Sequence, residues 1–235
     1  FNQSRFMKNN FVRKLNLSDF SSFIDVLKDV GTGTITRILM NQIIEYIQIN
    51  GDVIDIGGGE RASYRKYLKN CNYKSLNIDE KIKPDFLIKP NEKFPISSNT
   101  FDICLMFNLL EHVYNWDNLF LEADRVLKNG GDILILIPFL YPIHGAPNDY
   151  KRVTDQYLKE YLIKRGYTSI LINKFSYGPF STSQLVGLNH NKLNCFLRRL
   201  SVILDKIYQI FFREQFKRYI ANYPLFYFVS AKLKK

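Results

Sequence analysis

The feature that most constrains this chain is a short apolar run ending in three glycines, Val53-Ile54-Asp55-Ile56-Gly57-Gly58-Gly59-Glu60. Asp52 to Ile56 reads as a short buried strand, the type found in parallel sheets covered on both faces. Glycines at its carboxyl end let the backbone turn tightly and approach a ligand with no Cβ in between. In open α/β sheets, ligands bind at that end of the strands. The run therefore predicts both a fold class and the position of a binding crevice.

The rest of the chain alternates accordingly. Thr34 to Ile49 has helical spacing, with Ile35, Ile38, Leu39, Ile43 and Ile47 on one face. A helix is expected over 61–70, strands over 74–78, 85–88 and 101–107, and a helix from Asn115 to Lys128. Asp132 to Ile137 is the most strand-like run, and Thr154 can cap a helix that reaches Lys164, with Gly166 beyond it. Strand-like segments at 168–175 and 225–233 enclose a long helical stretch at 191–220. Alternation of this kind predicts an α/β fold whose mostly parallel sheet is covered on both faces. Residues 1–33 read as a polar and aromatic arm, residues 1–6 as a tag remnant before Met7, and 34–235 as the domain proper.

With 235 residues, 46% of them hydrophobic, the chain can bury a real core, and 23% charged residues argue against wholesale disorder. The cysteines Cys71, Cys104 and Cys195 are scattered and form no Cys-x-x-Cys pair. Neither a disulfide framework nor a metal site is expected, and reduced thiols fit a cytoplasmic location.

Two cofactor classes compete for the glycine loop. Gly57-Gly58-Gly59-Glu60-Arg61-Ala62 also fits the dinucleotide pattern Gly-x-Gly-x-x-Ala, and Asp79 at the end of the next strand could hold ribose hydroxyls in either case. Asp55 separates them. A carboxylate beside the crevice complements the ammonium and sulfonium of S-adenosylmethionine and repels a pyrophosphate.

With these residues in place, the chain resembles the class I (Rossmann-like) S-adenosylmethionine-dependent methyltransferases, in particular the small-molecule group with a Leu-Glu-His element. The resemblance runs over about 35–175 plus the last strand. It rests on Asp55-Ile56-Gly57-Gly58-Gly59, Asp79, Phe94-Pro95-Ile96 through Thr100-Phe101-Asp102, Leu110-Glu111-His112-Val113 and Arg125-Val126-Leu127-Lys128-Asn129-Gly130-Gly131. It implies a three-layer sandwich with a seven-stranded sheet whose last strand is antiparallel. It also implies S-adenosyl-L-methionine held by Asp55, Gly57, Gly58, Gly59, Asp79, Asn108 and Leu109. Arg61 stands where the family often has another glycine, and Lys89-Pro90-Asn91-Glu92 lacks the usual acid-containing pattern on the adenine side. The Asn-Pro-Pro-Tyr element of enzymes that methylate base amines is missing.

Asn108 to His112 follows the fourth strand, and the fifth leads into Pro138 to Arg152. His112 and His144 thus converge on one edge of the sheet. Methyl transfer from a sulfonium needs mostly positioning, but a hydroxyl acceptor must also lose its proton, which histidine can take near neutrality. His144 is the preferred base, with Asp149 its partner and His112 the alternative. Glu111 and His112 read as cofactor or acceptor contacts, with a solvated helix start as the alternative, and His144 could merely order its loop. Tyr141, Tyr150 and Arg152 suit a sugar or anionic acceptor. The proline-rich, His-containing loop resembles that of methyltransferases of surface-polysaccharide synthesis. An RNA methyltransferase and a non-catalytic cofactor-binding protein are the rivals.

The charge of +11 is concentrated late in the chain: Lys192 to Lys235 holds ten basic residues and two acids, Asp205 and Glu214. There Leu193, Phe196, Leu197, Leu200, Ile203, Leu204, Ile207 and Phe211 form one helical stripe. A core or homodimer helix, a membrane-surface helix and, less favoured, a nucleic-acid stripe are all compatible with it.

Overall fold

The structure, a computed structural model, describes residues 14–60, 62–145, 147–187 and 193–235. Three helices come first: α1 (Leu17–Phe20), α2 (Phe23–Asp29) and α3 (Ile35–Ile47). Thr34 opens α3 by accepting the Arg37 amide on its hydroxyl, and the side chains of Ile35, Ile38, Leu39, Ile43, Ile44 and Ile47 are buried. The strands β1 (Gly51–Ile56), β2 (Cys71–Asn77), β3 (Phe86–Leu87), β4 (Phe101–Phe107) and β5 (Leu127–Pro138) follow, with α4 (Trp116–Val126) between the last two. Then come α5 (Asp155–Lys164), β6 (Tyr167–Phe175), α6 (Pro179–Gly187), α7 (Leu193–Phe211), α8 (Arg213–Asn222) and β7 (Phe226–Leu233).

Among the described residues the strands form one seven-stranded sheet in the order β3-β2-β1-β4-β5-β7-β6. The first five pair in parallel, and β7 runs antiparallel to both β5 and β6. The alternation of β1 explains the layers. Val53 faces a core shared with α2, α3 and Val202 of α7, whereas Ile54 and Ile56 face a second core with Phe120 of α4 and Leu158 of α5. This is a three-layer α/β fold. Because β2 lies on one side of β1 and β4 on the other, a crevice opens at the carboxyl ends of β1 and β4, where the strand order reverses.

Three features differ from the sequence-based expectation. Among the described residues of 61–70 there is no α-helix; a single 3₁₀ turn, Arg65–Tyr67, forms there. Tyr64 is drawn inward to donate to Asp55, and Leu68 is buried, so this short connection follows the demands of the core rather than a helical period. The stretch expected as one helix at 191–220 is broken at Phe212, and α6 precedes it. Val26 and Val30, read as part of a polar arm, pack in the core against α3.

The C-terminal helices are also turned unexpectedly. Asp205 is fully buried and accepts the Phe180 and Ser181 amides, both at 2.9 Å, so it caps α6 from α7. Gln209 donates to the Tyr177 carbonyl at 2.7 Å. These polar contacts fix the inward face of α7, which leaves Phe196, Leu200, Ile203, Ile207, Ile210 and Phe211 exposed. No helix among the described residues is long and apolar enough to cross a membrane.

Candidate active site

The crevice begins at the end of β1. Asp55 is completely buried, and its Oδ2 accepts from the Tyr73 hydroxyl at 2.7 Å and the Tyr64 hydroxyl at 2.9 Å. Its Oδ1 is buried with no hydrogen-bond partner. Burial pushes the carboxyl up to about 6, against the pull of the two tyrosines and Arg65. The glycine loop folds directly over this group. A Cβ on Gly58 would stand 1.9 Å from Asp55 Oδ2, so only glycine fits, and Gly57 has φ +90°, which favours glycine as well. Asn77 of β2 holds the loop by donating to the carbonyls of Gly57 (2.7 Å) and Gly58 (3.2 Å). The sequence places Asp55 at the crevice; the structure sets it beneath the loop, with one oxygen left to offer.

Asp79 lies exposed past the end of β2, its Oδ1 accepting the Lys81 amide at 2.9 Å. Asn108 follows β4 in a left-handed conformation (φ +50°), and its amide donates to Leu136 at 2.8 Å. Leu109 packs against Gly57. The cofactor-site residues expected from the sequence therefore sit at the ends of β1, β2 and β4. Arg61 lies outside the described residues.

The loops after β4 and β5 are laced together. The Trp116 indole N–H steadies the first by donating to Leu110 (2.8 Å), and the second is tied to it where the Tyr150 amide donates to Glu111 (2.8 Å) and Lys151 Nζ to Tyr114 (2.7 Å). His112 Nδ1 lies 2.5 Å from the Asn148 carbonyl. These contacts set the rings of His112 and His144 edge to face, with centroids 5.1 Å apart. His144 donates its amide to Asp149 Oδ2 at 3.0 Å, and its Nδ1 lies 3.4 Å from the same oxygen and 3.2 Å from the Pro142 carbonyl. In the neutral imidazoles, acceptors beside both Nδ1 atoms place the proton there and leave Nε2 as the acceptor.

Asp149 is held down to about 2, chiefly by the forked guanidinium of Arg152, which places two nitrogens on its carboxylate. Arg152 therefore organises the loop, and its Nε is buried without a partner. The Tyr141 ring lies 5.1 Å from that of His144, while Tyr150 is about half exposed and rests edge-on against Tyr114.

Glu111 completes the arrangement. Its side chain has no exposed surface, no hydrogen bond reaches either carboxylate oxygen, and Oε1 lies 3.7 Å from His112 Nε2. Burial pushes it up to about 7. The sequence offers Glu111 as a cofactor or acceptor contact or as a solvated helix start; its burial was not legible. Tyr64, Tyr73 and Asn77 were missed outright, because nothing local marks a residue that reaches back under a glycine loop.

Residues 29–135 match the family described as a methyltransferase domain. An uncharacterised protein of Methanocaldococcus jannaschii is 28% identical over 136 residues, covering 54% of this chain, which spans only 59% of that relative's length. A methyltransferase dependent on S-adenosylmethionine (SAM) from Archaeoglobus fulgidus shares the fold at a TM-score of 0.51 and 17% identity, with 92% of this chain and 96% of that one aligned. A possible histamine N-methyltransferase from Thermotoga maritima does so at 0.50 and 15%, over 90% and 89%. The [4+2]-cyclase SpnF gives 0.54 and 15%, over 87% and 85%. These likenesses establish the fold, and the cyclase among them is a reminder that the fold hosts more than one chemistry.

Proposed function

We propose that this chain, a class I (Rossmann-like) methyltransferase, binds S-adenosylmethionine at the ends of β1, β2 and β4 and moves its methyl group to a hydroxyl of a sugar or similar small acceptor. One observation carries the reading: the buried, unpartnered Oδ1 of Asp55 under a loop that only glycine can form. A buried carboxylate oxygen without a donor is costly, and a ligand ammonium is the partner that relieves it. Dinucleotide phosphates would meet repulsion there. Asp79, exposed at the crevice edge, suits the ribose, and Leu109, lying over Gly57, suits the apolar side of the ligand.

When bound, S-adenosylmethionine supplies an activated methyl on a sulfonium. The chain's residues supply position and a proton acceptor. His144 is the base: its Nδ1–H is fixed by Pro142 and Asp149, so Nε2 accepts the hydroxyl proton. His112, similarly fixed by Asn148, is the alternative, and Tyr141 and Tyr150 line the acceptor side of the loop. The family resemblance of this loop supports a glycan acceptor in surface-polysaccharide synthesis, at the cytoplasmic face of a membrane.

The outward stripe of α7 supports that location. Phe196, Ile203, Ile207, Ile210 and Phe211 form an exposed apolar face, near which Arg199, Arg213, Lys217 and Arg218 are also exposed. Apolar area with a basic surround fits an anionic lipid surface.

The deciding experiment is incubation with methyl-labelled S-adenosylmethionine and separate pools of lipid-linked glycans, RNA and small metabolites. Label in the glycan or metabolite pool supports the reading. Label in RNA replaces the acceptor class. Cofactor binding with no transfer to any pool makes the chain a binding protein.

A further inference from the structure

We infer that Glu111, His112 and His144 form a binding site for one divalent transition-metal ion, with zinc or cobalt the best-fitting probes. One carboxylate oxygen of Glu111 and one nitrogen from each histidine lie within 4.8 Å of one another. Glu111 is the decisive member. It is entirely buried, and neither of its oxygens has a hydrogen-bond partner. A carboxylate in that position needs a counter-ion; His112 Nε2 stands 3.7 Å away, and Arg152, whose charge also acts on Glu111, is already bound to Asp149.

The histidines are prepared in the way metal ligands are. Such residues characteristically donate one ring N–H to a carbonyl or carboxylate, which fixes the tautomer and aims the other nitrogen at the ion. His112 Nδ1 lies against the Asn148 carbonyl, and His144 Nδ1 against the Pro142 carbonyl and Asp149. Both Nε2 lone pairs remain, and that of His112 is 3.7 Å from Glu111 Oε1. Zinc–ligand bonds of about 2.0–2.2 Å at tetrahedral angles put ligand atoms roughly 3.3 Å apart, so separations of up to 4.8 Å must close by up to about 1.5 Å. His144, on the loop after β5 and partly exposed, can supply it. Two imidazoles select transition metals over magnesium or calcium, which prefer all-oxygen sites. Sequence spacing concealed the set because His144 lies on a different loop from Glu111 and His112.

Three protein ligands leave a coordination position open, as in catalytic metal sites. What the ion does there rests on the methyltransferase reading. An ion held there would acidify an acceptor hydroxyl at that position, whose proton would pass to water as its oxygen forms the C–O bond, the C–S bond breaks and sulfur takes the electron pair. With an ion bound the histidines would serve as ligands; without one, His144 keeps the base role proposed above.

The test uses the full chain after EDTA treatment and desalting. Zinc titration by calorimetry should show one equivalent per chain, and cobalt should give a visible ligand-field band. Glu111→Gln, His112→Ala and His144→Ala should each weaken zinc at least tenfold and abolish the band. Circular dichroism melts establish that each variant is folded. Zinc binding undiminished in His144→Ala and Glu111→Gln, or no stoichiometric binding by the wild type, overturns the inference. S-adenosylhomocysteine titration of the EDTA-treated protein is read separately. If it binds and metal does not, the methyltransferase reading stands alone; if metal binds and it does not, that reading fails and the site remains.

Discussion

Replacing Asp55 by Asn should trade cofactor affinity against a pH-dependent cost that the wild type carries. Burial raises the Asp55 carboxyl from the ordinary 3.8 to about 6. At 1.36 kcal/mol per pH unit, keeping it ionised in the empty site costs roughly 3 kcal/mol. The sign follows from linkage. Because the folded-state value lies above the unfolded one, the group favours folding at low pH, and that contribution is lost as pH rises from about 4 through 6. An amide removes the charge, and its oxygen can still accept from Tyr64 and Tyr73. Its NH₂ group then occupies the position of Oδ1 without a partner, at about 1–3 kcal/mol.

The stability difference between variant and wild type should therefore move by roughly 3 kcal/mol in the variant's favour between pH 3.5 and 7.5. Glu111 and Asp205, also raised by burial, titrate in both proteins and cancel in the comparison. Over the same pH range, wild-type affinity for S-adenosylhomocysteine should rise as the carboxylate ionises. At pH 7.5 the variant should bind at least tenfold more weakly, a loss of about 1.4 kcal/mol. Urea melts and isothermal titration across this range measure both. A pH-independent stability difference together with unchanged affinity would refute the assignment of Asp55 to the ligand's ammonium.

Gly58→Ala should abolish cofactor binding and cost about 1–3 kcal/mol of stability, since its Cβ would strike Asp55 Oδ2; a calorimetric titration at wild-type strength would show that the loop tolerates a side chain. His144→Ala should lower turnover by about 10²–10⁴-fold while S-adenosylhomocysteine affinity stays within twofold or so, and unaltered turnover on the true acceptor would reduce the histidine to ordering its loop. The chain should co-sediment with anionic liposomes at low salt and be released toward 1 M salt, where the Debye length has shrunk to about 3 Å. Ile203→Glu with Ile207→Glu should prevent pelleting, and a wild type that stays in the supernatant at low salt would leave the α7 face to a second copy of the chain.

Local sequence was enough to determine the strands and much of the crevice. The runs in β1, β4 and β5 are so continuously apolar that only burial on both faces satisfies them, and Asn115 and Thr154 each accept the amides their helices leave unpaired. The positions of Asp55, Gly57 and Gly58 followed from the same reasoning, because a strand-to-turn junction is a property of neighbouring residues. Tertiary structure decided what depends on groups far apart in sequence. Tyr73, eighteen residues from Asp55, joins Tyr64 in clamping its carboxylate, and drawing Tyr64 inward replaces the expected helix over 61–70 with a turn. His112 and His144 meet only because main-chain and side-chain bonds lace two loops together above a glutamate whose burial no periodicity records. The orientation of α7 is the clearest case. Its apolar stripe alone argues for packing inward, yet Asp205 binds the first-turn amides of α6 and Gln209 the Tyr177 carbonyl just before it, and these turn the helix the other way. A buried carboxylate must have its donors, whereas an exposed leucine or isoleucine costs only its own apolar area, so the polar face won.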